Sequence, residues 1–130
     1  MTPNENQTQA PAVEPAVDFE QLRAASGDDP GFLKDLANLY FEQAREIMTA
    51  LGAAVEEHSA GDVDYLAHKL AGASLSCGMS AMVAPLRELE TRGRKGDLSG
   101  AGGLMSRAAA SLEIVRAEME EYLRGGKAAG

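Results

Sequence analysis

The chain has 130 residues, which is enough for one domain and too few for two. It carries 20 Asp and Glu against 12 Lys and Arg, and the net charge of -8 disfavours nucleic acid and anionic membranes as partners. Its 1 cysteine excludes an internal disulfide and a thiolate zinc site. With no long apolar run and no secretion signal, the composition indicates an acidic, cytoplasmic, helical protein.

The two ends of the chain are predicted to lie outside the folded domain. Residues 1–17 hold 3 of the 5 prolines and too little apolar surface to offset the entropy of ordering them, so we expect a disordered tail. Residues 125–130 are expected to form a frayed C-terminal tail. The folded domain is therefore predicted over residues 18–124.

Two helices are predicted in the first half of the domain. The first spans residues 18–26, with Asp18 as its N-cap. The second begins at Pro30, directly after the N-cap Asp29, and continues to about residue 58. Its apolar side chains recur at helical spacing and are expected to form one buried face. They are Phe32, Leu36, Leu39, Tyr40, Ile47, Leu51 and Ala54.

Three more helices are predicted in the second half. The third spans about residues 63–76 and is closed by Gly78 in a left-handed conformation, and the fifth begins near Asp97. The fourth contains Pro85 within its apolar pattern, so it either kinks there or begins later than the pattern does. Glycines 93 and 96 are expected to end it. Together the helices predict an all-α fold, an antiparallel four-helix bundle with a short extra N-terminal helix.

The third predicted helix places a histidine opposite its apolar face. At about 100° per residue, His68 falls nearly opposite the core side and is expected to face solvent. The core side consists of Val63, Leu66, Ala67, Leu70, Ala73, Ser74 and Cys77. The expected neighbours of the imidazole are Asp64, Tyr65, Ala71, Gly72 and Leu75.

The surroundings of His68 are typical of a docking surface with a nucleophile at its centre. A glycine inside a helix costs about 1 kcal/mol relative to alanine, and Gly72 would leave room for a partner to come close. Leu75 adds an exposed apolar side chain on the same side. A neutral imidazole can attack a phosphoryl group and form a labile P–N bond, although the residues leave open which nitrogen does so.

The residues around His68 carry a resemblance to a known family. The segment AHKLAGAS at 67–74, followed by Cys77 and Gly78, resembles the histidine phosphotransfer (HPt) domains of multistep two-component phosphorelays. The likeness covers residues 18–123 and includes Gly61-Asp62, Glu88-Leu89-Glu90 and Gly96-Asp97-Leu98. It implies a four-helix bundle in which an exposed His68 accepts a phosphoryl group from the aspartate of one receiver domain and passes it to another.

The resemblance also implies the partners of the chain. They are the receiver domain of a hybrid sensor histidine kinase and the receiver domain of a response regulator. The chain would be a phosphoryl carrier rather than an enzyme, with no cofactor of its own, and the magnesium ion would belong to the receiver. Docking contacts are expected from Asp64, Tyr65, Leu75, Phe41 and Arg45. For Phe41, packing against the N-terminal tail or the first helix is an alternative that stays as open as a docking contact.

One position departs from the family pattern. The family commonly has lysine three residues after the histidine, and this chain has Ala71 there. Lys69 is the nearest cation in sequence, and although it lies about 100° round the helix, its long flexible side chain makes it the candidate to reach the phosphoryl group. The alternative function is a helical adaptor that binds a kinase or receiver domain without carrying phosphate.

The remaining reactive or charged residues are interpreted structurally. His58 is a helix-end histidine, and a metal shared with His68 would lack a third ligand at metal-site spacing. Cys77 is expected to be a small buried residue. A basic cluster is interpreted as a solvated face, not as a nucleic-acid site. Its members are Arg87, Arg92, Arg94 and Lys95.

Overall fold

The computed structural model describes residues 15–125 and confirms the predicted all-α fold. Its helices are α1 (Phe19–Ala25), α2 (Pro30–Glu56), α3 (Ala60–Ser76), α4 (Val83–Lys95) and α5 (Ala101–Gly125), with a 3-10 turn at Ser80–Met82 before α4. The short connections make the four long helices antiparallel neighbours. α3 packs between α2 and α4, and α5 closes the bundle between α4 and α2. Within residues 15–125, no helix is both long and apolar enough to cross a membrane.

The start of α2 follows the predicted capping pattern, but its buried face is shifted. The Asp29 carboxylate accepts hydrogen bonds from two first-turn N–H groups at 3.0 and 3.2 Å. Phe32 and Leu39, predicted in the core, are 50% and 53% exposed. The buried stripe instead combines large side chains with three alanines, and it includes four of the seven predicted residues. Its members are Leu33, Ala37, Tyr40, Ala44, Ile47, Leu51 and Ala54.

The proline and the two glycines of α4 have different structural roles, at the start, in the interior and at the end of the helix. Pro85 is the third residue of the helix, so α4 begins later than its apolar pattern, at a place where the missing N–H would have no intrahelical partner. Gly96 ends the helix with a φ of 73°. The prediction that Gly93 also ends it is wrong, because Gly93 is buried inside α4. A Cβ there would lie 2.7 Å from the Ala60 carbonyl oxygen of α3.

The last helix begins four residues later than predicted. The Asp97 carboxylate accepts hydrogen bonds from the N–H and the hydroxyl of Ser99, at 3.1 and 2.6 Å, and so holds a turn instead of a first helical turn. Gly100 then adopts a φ of 75°, and α5 starts at Ala101.

The N-terminal segment is tied to the turn that follows α3. The Asp18 N–H donates to the Gly78 carbonyl oxygen at 2.7 Å, and an added Cβ at Gly78 would collide with the main chain of Asp18. Val17 lies in the predicted tail, yet it is buried in the core. The packed domain therefore begins before residue 18. The rest of the predicted tail, residues 1–14, and residues 126–130 of the predicted frayed end lie outside the described residues.

Candidate functional site

The packing of α3 leaves His68 on the surface. The side chain of His68 is 66% exposed, as its position opposite the apolar stripe predicts. The residues that anchor the helix in the core are Val63, Ala67, Leu70, Ala71 and Ser74. The hydroxyl groups of Tyr40 in α2 and Ser74 lie 2.6 Å apart within this core and fix α3 against α2. The imidazole therefore projects from a rigid helix.

A buried carboxylate of α4 contacts this imidazole. The Nδ1 atom of His68 lies 2.8 Å from Oε2 of Glu90, whose side chain is only 7% exposed. Two arginines of α4 donate to the same carboxylate: Arg87 Nη1 to Oε1 at 2.9 Å and Arg94 Nη2 to Oε2 at 2.7 Å. Their spacing, three residues before and four after Glu90, places them on one face of the helix. The result is a hydrogen-bonded cluster of one imidazole, one carboxylate and two guanidinium groups.

The charge of Glu90 determines which imidazole nitrogen is free. Burial alone would raise the pKa of Glu90, but hydrogen bonds from Arg87 and His68 hold that pKa below its ordinary value of 4.5. At neutral pH the carboxylate is therefore ionised and can only accept hydrogen bonds, so Nδ1 must be the donor. A neutral imidazole with its proton on Nδ1 carries its lone pair on Nε2.

The contact between His68 and Glu90 depends on a close approach of α3 and α4. Gly93 lies one turn beyond Glu90, and Ala60 and Asp64 lie before His68 in α3. At Gly93 the two backbones are so close that any Cβ would meet main-chain atoms of Ala60 and Asp64. The absence of a side chain at Gly93 thus sets the distance over which Glu90 reaches the imidazole.

The predicted neighbours of His68 occupy different environments. Tyr65 and Leu75 are exposed, and a Cβ added at Gly72 would meet nothing within 4 Å. Asp64 is half-buried beside α4. Ala71 was predicted on the exposed side, but it is fully buried, because α4 covers the flank of α3 between His68 and the core.

The structure does not bring Phe41 and Arg45 beside His68. Phe41 is half-buried and packs edge-on against Tyr40, with ring centroids 5.2 Å apart, whereas Arg45 is exposed. By helical spacing both share a flank of α2 with Gly52, where an added Cβ would lie 3.9 Å from the methyl group of Met105 in α5. This flank turns toward α5, while His68 is held against α4.

The sequence analysis does not identify the acidic partner of His68. The side chains of Arg87 and Arg94 reach solvent, as predicted for this basic cluster, but both also bind Glu90. The Arg-x-x-Glu-x-x-x-Arg spacing was the available signal, because it predicts that both cations reach one carboxylate on a helix. Within the described part of the chain, no group of three His, Cys, Asp or Glu side chains is arranged to hold a metal ion.

Comparisons with known proteins identify a family and a fold. The sequence model of the Hpt domain family matches residues 35–125. The crystal structure of histidine-containing phosphotransfer protein B from Pseudomonas aeruginosa PAO1 superposes with a TM-score of 0.79 and 22% sequence identity, over 86% of this chain and 97% of that chain. At that identity the likeness shows a shared fold. A comparison with curated proteins found no match.

Proposed function

This chain belongs to the Hpt domain family, and from that membership we propose that His68 is the residue that carries the phosphoryl group. The function of the chain is histidine phosphotransfer in a phosphorelay, in which it acts as a phosphoryl carrier toward receiver domains. One observation supports His68 as the acceptor: it combines an exposed ring with an Nδ1 atom bound to a buried carboxylate. His58 is also exposed but has no such partner in the described part of the chain.

The proposed step is an in-line exchange at phosphorus. The Nε2 lone pair attacks the aspartyl phosphate of a receiver, the P–N bond forms as the P–O bond breaks, and the aspartate leaves with the bonding electrons. The proton on Nδ1 stays in its hydrogen bond to Glu90, whose negative charge offsets the positive charge on the phosphorylated ring. In the second transfer, a receiver carboxylate attacks phosphorus and the electron pair returns to Nε2.

The proposed partners are the receiver domain of a hybrid sensor kinase and that of a response regulator. The exposed surface beside His68, formed by Tyr65, Gly72 and Leu75, supports docking of a compact domain. Leu39 is a further exposed apolar side chain, on the flank of α2 opposite the one that faces α5. We propose that the receiver holds the magnesium ion. We also propose the cytoplasm as the compartment, since the phosphoryl group of such relays originates from a nucleotide.

The assignment of His68 is tested by label transfer from a phosphorylated receiver domain in the presence of magnesium. Wild-type protein and the matched control His58→Gln are expected to take up acid-labile, base-stable label, whereas His68→Gln takes up none. Label on His68→Gln equal to that on wild type would overturn the assignment. Binding of the receiver without any label on wild type would instead support the adaptor alternative.

Replacing Gly72 with alanine is expected to increase the stability of the protein and to weaken docking of the receiver domain. The new Cβ would meet nothing within 4 Å, so better helix propensity should raise the free energy of unfolding by about 1 kcal/mol in urea titrations. The same methyl group would intrude on a docked receiver and slow transfer about fivefold or more. Gly103→Ala, also in open space but on α5, is the control and should transfer at the wild-type rate. An unchanged rate in Gly72→Ala would show that the receiver does not approach this position.

A further inference from the structure

The cation that would pair with a phosphoryl group on His68 cannot come from position 71. Ala71 has no charge, and it is fully buried on the side of α3 that faces α4. A phosphoryl group carries nearly two negative charges at neutral pH and offers three acceptor oxygens. In a protein with a net charge of -8, a cation close to the phosphoryl group from another position would stabilise that charge.

Lys69 is poorly placed for this task. It follows His68 directly, so its side chain leaves the helix about 100° away from the imidazole. His68 leans toward α4, where its Nδ1 atom contacts Glu90. Lys69 is exposed and has no ion pair among the described residues, so nothing holds its ammonium group near the ring.

Arg94 is held beside the imidazole before any phosphoryl group arrives. Its Nη2 atom donates to Oε2 of Glu90 at 2.7 Å, and this same oxygen contacts Nδ1 of His68. The carboxylate of Asp64 lies 3.7 Å away on the α3 side, so the guanidinium group sits between two acidic side chains in the α3–α4 groove. Arg87 binds the other oxygen, Oε1, and is therefore one atom further from the ring.

Arg94 also has the freedom to reach a new anion. Its side chain is 62% exposed, and one hydrogen bond to Glu90 uses one of the five N–H donors of a guanidinium group. A planar guanidinium group can bind phosphate through two parallel hydrogen bonds, which a lysine cannot do. The donors that Glu90 does not use leave the guanidinium group able to bind a second anion.

We propose that Arg94 binds the phosphoryl group on His68 and neutralises part of its charge. This proposal rests on the assignment of His68 as the acceptor. Arg94 takes no part in breaking or forming the P–N bond, and it stabilises the phosphorylated form relative to the free imidazole. Arg87 keeps the carboxylate of Glu90 in place from the other side.

The test is the equilibrium of phosphoryl exchange between full-length protein and a receiver domain that labels the wild type. Arg94→Gln is expected to shift the equilibrium constant away from the phosphorylated protein by about tenfold, the size expected for loss of a charged hydrogen bond. Arg94→Lys should recover part of that loss, because it keeps the charge but not the paired donors. The matched controls Lys69→Gln and Lys95→Gln, both at exposed positions, should stay within about threefold of wild type. Arg87→Gln should lose less than Arg94→Gln, because Arg87 acts only through its bond to Glu90. Circular dichroism checks that each variant is folded.

Several outcomes would overturn the role of Arg94. One is an unchanged equilibrium in Arg94→Gln. Another is a shift in Arg87→Gln as large as that in Arg94→Gln, which would mean that both arginines act only by holding Glu90. A third is a larger shift in Lys69→Gln, which would make Lys69 the phosphoryl-binding cation. A failure of the assignment of His68 is distinguishable, because label would then appear on His68→Gln.

Discussion

Replacing Glu90 with alanine is expected to slow phosphoryl transfer to His68 by about 10-fold to 100-fold while the bundle stays folded. The physical reason is the loss of the acceptor 2.8 Å from Nδ1, which holds the proton on that nitrogen and the lone pair on Nε2. A hydrogen bond to a charged group contributes about 1.5 to 3 kcal/mol, and this range corresponds to the expected loss in rate. Rapid-quench measurement of label transfer from a phosphorylated receiver gives the rate.

A second Glu90 variant shows whether the charge of Glu90 or its shape matters, and a change at Glu88 is the control. Glu90→Gln can offer an amide N–H to Nδ1, which stabilises the tautomer with its proton on Nε2, so it should be no faster than Glu90→Ala. Glu88→Ala removes a neighbouring carboxylate that lies 3.6 Å from Arg107 and makes no contact with His68, so it is the control. Wild-type rates in both Glu90 variants would show that the contact does not tune the nucleophile.

The depressed pKa of Glu90 also predicts how stability changes with pH. A carboxyl group with a lower pKa in the folded than in the unfolded chain stabilises the fold above its ordinary pKa of 4.5. This contribution is lost as pH falls through the lower, folded value. In urea titrations, the stability advantage of wild type over Glu90→Gln should therefore be full at pH 7 and decrease below about pH 4.5. A difference that is constant from pH 7 to pH 3 would contradict this view of the cluster.

Replacing Gly93 with alanine is expected to destabilise the protein by about 1 to 3 kcal/mol, although alanine is the better helix former. The new Cβ would lie 2.7 Å from the Ala60 carbonyl oxygen, and main-chain atoms cannot move aside as a flexible side chain can. α4 would have to shift away from α3, which would also lengthen the contact between His68 and Glu90. Urea unfolding and the transfer assay measure the two effects separately.

The control for this prediction is the same change at Gly72. Both glycines lie inside helices near His68, but only Gly93 faces a neighbouring backbone. Opposite signs of the change in unfolding free energy are therefore expected from one chemical substitution. A stabilising effect of alanine at Gly93 would mean that the two helices tolerate a wider spacing than the structure shows.

The sequence predicted features that depend on one helix and missed those that depend on two. The exposure of His68 and the capping role of Asp29 follow from spacing along a single helix, and both are found in the structure. The burial of Ala71 depends on which flank α4 covers, and no property of α3 alone determines that. The contact of Glu90 joins residues 22 positions apart.

The roles of glycines and the burial of apolar residues were ambiguous in the sequence for the same reason, because they depend on a neighbouring helix. Gly93 and Gly96 look alike in sequence, but the former permits a close helix contact and the latter adopts a left-handed conformation. Phe32 and Leu33 are adjacent apolar residues, and only the position of the neighbouring helices decides which one is buried.

Occupation of Nδ1 by Glu90 has a consequence for the product of the reaction. Phosphohistidine exists as two regioisomers, and on the proposed assignment a ring whose Nδ1 atom is held 2.8 Å from a carboxylate oxygen is expected to yield the 3-phospho isomer, with the phosphoryl group on Nε2. Antibodies selective for 3-phosphohistidine should therefore detect the phosphorylated protein in cells, and antibodies raised against 1-phosphohistidine should not detect it.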